Sequence, residues 1–116
     1  MINRAAMILK YKEPAIKWIN DADPYNDDPG ITKASVNSER TVYLLREDVA
    51  EDPDSLDEWI KMNVDVLFER ELSGWYNDPD LWPKNRNYTL FKKWFSVECH
   101  TVIEDTVDEP LLDVEF

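Results

Sequence analysis

Residues 55–72, SLDEWIKMNVDVLFEREL, form the longest stretch with a single period in the chain. At 100° per residue, Leu56, Trp59, Ile60, Val64, Val66 and Leu67 fall within one arc, while Glu58, Lys61, Asp65 and Glu69 fall opposite, so the stretch reads as an amphipathic helix. Ser55 with Glu58 three residues later has the spacing of a capping box, and Ser73-Gly74 supplies a stop. Arg70 and Glu71 project back into the apolar arc, which predicts that the last turn rises off the core. Asn63 also lies in the arc and needs a hydrogen-bond partner if it is buried.

Upstream of this helix two strands are expected. Ala5 to Tyr11 alternates Met7, Leu9 and Tyr11 against Ile8, Lys10 and Lys12, and Thr41 to Arg46 is short and begins with β-branched residues. Between them, Glu13-Pro14 opens a helix running to about Ala22 with Ile16 and Ile19 inward, followed by a loop over residues 21–30. Downstream, Trp75 to Asn87 is a loop with two prolines and two tryptophans. Leu90, Phe91, Trp94 and Phe95 then mark a helix over Tyr88 to Phe95. A third strand is expected from Ser96 to about Asp105, with Val97, Cys99, Thr101 and Ile103 on one face.

The expected order is therefore β-α-β-α-α-β. It describes a single α+β domain over residues 1–116, a small sheet of three or four strands with two or three helices on one face. The connections are long enough for parallel or antiparallel strands. Residues 105–116 form an acidic tail, expected to dock on its own domain or on a partner.

With 116 residues the chain is long enough to bury a core without disulfide or zinc staples. A lone Cys99 cannot close an intrachain disulfide, so a reducing cytoplasm is the expected home. The first ten residues lack the long apolar run of a signal peptide, and no apolar run approaches the length of a membrane span.

The net charge is −12, which argues against binding a phosphate backbone. It is also uneven: residues 1–46 carry +1, residues 47–83 carry −10 and residues 84–116 carry −3. Six of the seven prolines follow an acid, the pattern of a helix cap or turn start, so many of the acids are expected to serve the backbone.

Signs of catalysis are weak. Cys99 and His100 are chain neighbours, but alternation along a strand sends them to opposite faces, so no dyad is expected. The loop 21–30 is rich in carboxylates but has Asn26 where an EF-hand needs glycine and Thr32 where it needs a bidentate Glu. Two glycines cannot build a phosphate-cradling loop. No catalytic residue, cofactor or metal site is assigned.

What remains points to a non-catalytic protein-binding or accessory module. Its candidate partner-binding residues are Glu58, Asp65 and Glu69 on the helix, with Trp75, Asp78, Asp80 and Trp82 in the aromatic loop. The expected partner is a basic protein, as for an immunity or inhibitor protein whose carboxylates imitate phosphate. Packed as a lid, the same aromatics would instead cover the core. An alternative is a small-ligand pocket or active site under residues 75–87, using Trp82, Tyr88 and His100. A homodimer through Leu111, Leu112, Val114 and Phe116 is a further possibility.

Overall fold

The computed structural model describes residues 1–22 and 32–114. Its centre is β1 (Arg4–Tyr11), which alternates inward and outward side chains as expected. Met7, Leu9 and Tyr11 are buried on the inner face, whereas Lys10 is exposed on the outer one. β1 pairs antiparallel on one side with β2 (Val42–Arg46), in register Arg4↔Arg46 to Ile8↔Val42. On the other side it pairs antiparallel with β3 (Phe95–His100), in register Ala6↔His100 to Tyr11↔Phe95. The strand order β2-β1-β3 thus resolves the open choice of direction in favour of an all-antiparallel, three-stranded sheet.

Among the described residues four α-helices accompany the sheet: α1 (Glu13–Ala22), α2 (Lys33–Asn37), α3 (Pro53–Ser73) and α4 (Tyr88–Trp94). The chain is therefore α+β, with one helix more than the expected order. That helix, α2, has five residues and is too short for a periodic signal. It is held by a capping box between Thr32 and Ser35, and Val36 anchors it in the core.

Two boundaries differ from expectation. α3 starts at Pro53, and its cap is Asp52, whose carboxylate accepts from the Ser55 backbone N–H at 2.8 Å. The acid-proline pattern therefore sets the start, and the Ser55 to Glu58 box does not. β3 ends at His100, well short of Asp105, because β1 starts at Arg4 and leaves little strand to pair with. Beyond it a single backbone bond from Ile2 N–H to Ile103 O and the terminal amine of Met1 on Glu104 hold the chain.

The core face of α3 is also turned from the expected arc. Ile60, Leu67, Phe68, Glu71 and Leu72 are buried, while Val66 is exposed. Phe68 is wholly enclosed, stacked edge-on against Phe91 at 5.9 Å and within 5.6 Å of Phe95. The last turn does not rise off the core: Leu72 is buried and Glu71 points inward. Asn63 is half-buried and donates to the Trp59 carbonyl at 2.8 Å.

Every residue from Glu104 to Val114 is exposed, including Leu111, Leu112 and Val114.

Candidate functional site

The solvent side of α3 is set by the burial of its opposite side. With Phe68 and Leu72 inward, Glu58, Asp65 and Glu69 stand in one exposed stripe. Lys61 lies 3.5 Å from Asp57 and over the Tyr88 ring, and so does not neutralise them. Among the described residues none of the three carboxylates has an ion-pair partner within 4 Å. Asp65 and Glu69 are one turn apart, a spacing at which like charges repel. Glu69 also approaches the helix C-terminus, where a negative charge meets the unfavourable end of the dipole.

The aromatic loop after α3 folds back over the core as a lid. Trp75 donates its indole N–H to the Tyr11 hydroxyl at 3.0 Å, and Trp82 donates to the Tyr76 carbonyl at 2.8 Å. The Tyr76 hydroxyl donates to the carbonyl of Ile19, and Trp18 of α1 donates to the carbonyl of Leu81 at 2.8 Å. The loop's polar groups are thereby matched with α1 and with itself, as buried donors require. A 3₁₀ turn at Pro79–Leu81 is capped by Asp78, whose carboxylate accepts from the Asp80 N–H at 3.0 Å.

This folding brings the loop against the acidic stripe. An open groove of about 500 Å³ runs between them, lined by Val66, Glu69, Arg70, Ser73, Pro79 and Trp82. Of the candidate residues, Glu69 and Trp82 meet in the groove, with Asp78 and Asp80 exposed on either side of Pro79. Asp65 and Glu58 continue the stripe along the helix. Trp75 is spent elsewhere, half-buried against Tyr11 with ring centres 6.2 Å apart.

Trp82, Tyr88 and His100 are not brought together. Tyr88 gives its hydroxyl to Asp57, and His100 lies exposed on the outer sheet face, 2.8 Å from Glu98. Hydrogen bonding from His100 and the neighbouring Lys10 ammonium hold the Glu98 carboxyl below its usual range. Cys99 sits on the inner face opposite Met7, and partial burial pushes its thiol up, away from the thiolate form. Among the described residues no cluster of three or more His, Cys, Asp or Glu could hold a metal ion. The carboxylate-rich loop lies outside the described residues from 23 to 31.

One polar cluster was missed. Glu71 accepts from the Tyr11 hydroxyl at 2.8 Å, from the Tyr43 hydroxyl and from the Arg40 guanidinium at 2.8 Å. Arg40 also stacks over the Tyr11 ring at 4.3 Å. Burial, then the facing Glu71 carboxylate, pushes both tyrosine pKa values up, so neither phenol serves as a base. The signal was Glu71 at a core position of α3. Its meaning depended on three side chains from distant parts of the chain, which no local pattern announces.

No family model, curated protein or solved structure matches the chain.

Proposed function

We propose that this protein is a non-catalytic binding module that docks a basic protein along the acidic face of α3. The observation that carries the reading is the stripe of exposed carboxylates at Glu58, Asp65 and Glu69, without an ion-pair partner among the described residues, which ends in the groove beside Trp82. A helix that keeps mutually repelling charges at helical spacing gives up some stability, and an opposing lysine or arginine would offset that cost. The groove adds an apolar and aromatic patch next to the charge, where an anchor side chain of the partner can sit. An immunity or inhibitor protein that covers the basic active site of a nuclease or toxin is the specific form this takes.

The surrounding facts are compatible. Among the described residues no helix is long and apolar enough to cross a membrane. The same negative field that steers a basic protein inward repels nucleic acid. Cys99 as a free thiol suits a reducing cytoplasm.

Affinity capture from native extract with the wild-type chain, beside the triple variant Glu58→Lys/Asp65→Lys/Glu69→Lys, tests the reading. The wild type is expected to retain a partner with a basic surface and release it at moderate salt, while the triple variant retains none. Equal capture by the two proteins, or a salt-resistant partner without a basic surface, would overturn the proposal.

A further inference from the structure

We infer that the tail of one copy adds to the free edge of β2 in a second copy, giving a dimer by exchanged strands. Among the described residues β2 is an edge strand, paired with β1 alone, so one row of its backbone N–H and C=O groups faces no other described strand. The edge is open, because a groove of about 320 Å³ runs between β2 and α3, lined by residues that include Tyr43, Trp59, Asn63, Val66 and Arg70. On the outer sheet face Val42 and Leu44 are about half exposed. Beside them Arg4 and Arg46 stand directly opposite one another in the register; Arg46 already reaches Asp48 at 3.1 Å, and a further carboxylate would offset the positive charge that the pair retains.

The tail has the matching chemistry. Leu111, Leu112 and Val114 are 68%, 82% and 66% exposed, too much apolar surface to leave in water without a use. Asp108, Glu109 and Asp113 surround them. Placing Leu111 beside Leu44 puts an acid next to Arg46 in either strand direction: Asp113 if the added strand runs parallel to β2, Glu109 if antiparallel. Alternation then turns Leu112 toward the groove over Trp59 and Val66. The other edge strand, β3, is a poorer acceptor because it carries Glu98.

The chain's own tail leaves its apolar side chains in water: Leu111, Leu112 and Val114 are exposed. The bonds from Ile2 to Ile103 and from Met1 to Glu104 fix the tail's start beside β3, across the sheet from β2. A reciprocal exchange also closes with two-fold symmetry, so each copy gives and receives one strand. This surface adjoins the groove beside Trp82, with Val66 and Arg70 on the border between them, but contains none of Glu58, Asp65 and Glu69, and the inference does not rest on the function proposed above.

Sedimentation equilibrium of the full chain over a range of concentrations provides the test. The wild type is expected to reach twice the 13.7 kDa chain mass. Leu111→Asp/Leu112→Asp and, separately, Leu44→Asp should each weaken the dimer at least ~10-fold while leaving the circular dichroism spectrum unchanged, since Leu111 and Leu112 are largely exposed and Leu44 about half exposed. Arg46→Glu should weaken it too, and adding either Asp113→Arg or Glu109→Arg should restore it, identifying the strand direction. A wild type that stays monomeric at every concentration overturns the inference. So does a dimer indifferent to the tail substitutions, or concentration-independent amide protection of residues 111–113, which would place the tail on its own chain.

Discussion

The guanidinium of Arg40 lies 2.8 Å from the carboxylate of Glu71, and both side chains are largely withdrawn from water, at 14% and 3% exposure. A charge pair so placed gains little over an apolar pair of the same size, but losing one member strands the other. Glu71 in addition satisfies two tyrosine hydroxyls, so three donors depend on one side chain. Glu71→Gln is expected to destabilise the fold by ~3–5 kcal/mol, read as a shift of the urea midpoint with little change of slope. A loss below ~1 kcal/mol would show that water reaches the cluster and replaces the missing contacts.

The same cluster predicts how stability responds to alkali. Unfolded tyrosines ionise near pH ~10, whereas Tyr11 and Tyr43 are held protonated well above that by burial and by Glu71. Above that pH the unfolded state has lost protons that the folded state keeps, so stability falls as pH rises. Their contribution is fully present below the unfolded pKa and disappears on the alkaline side. Thermal unfolding followed between neutral pH and strong alkali should show this decline, and Tyr43→Phe should make it shallower. Ultraviolet titration of the folded protein should find Tyr11 and Tyr43 ionising late.

The start of α3 offers a test on a smaller scale. Asp52 accepts the Ser55 N–H at 2.8 Å, and the Ser55 hydroxyl donates to the same carboxylate at a longer 3.2 Å. Asp52→Ala should cost ~1 kcal/mol, the ordinary worth of an N-cap, while Ser55→Ala should cost clearly less. The reverse ranking in denaturant melts would restore Ser55 as the cap.

Stability and binding should separate on the α3 face. Glu69→Lys removes the repulsion with Asp65, creates an i,i+4 attraction and places a cation near the helix C-terminus. It is expected to raise stability by ~0.5 kcal/mol while weakening capture of the basic partner. A variant that loses stability and binding together would mean that Glu69 supports the fold rather than a contact.

How much of this was legible in the sequence depended on whether a residue's environment was local. β1, β2 and α1 followed from alternation and helical spacing because each has one face in the core and one in water. The exposed stripe Glu58, Asp65 and Glu69 was legible for the same reason. The inner face of α3 was misjudged because Glu71 read as a polar interruption of an apolar arc. That pulled the expected core toward Val66 and away from Phe68 and Leu72. Only Arg40, Tyr11 and Tyr43, brought by other elements, make a carboxylate acceptable there. Likewise β3 looked longer than it is because alternation continues past His100, whereas a strand also needs a neighbour to bond with. The meeting of Glu69 and Trp82 depends on the path of an aperiodic loop, which hydrogen bonds to α1 decide.

β1 lies in the middle of the sheet, yet its partners come from far along the chain, β3 from beyond residue 94. During synthesis β1 must therefore wait for its second partner, with Met7 and Leu9 incompletely covered, until residues 95–100 have emerged. Contacts of such long sequence separation close late and make folding slow. A stalled or shortened product lacking β3 would expose the most apolar strand of the molecule, so quality control by chaperones and proteases should act on this chain chiefly before its third strand arrives.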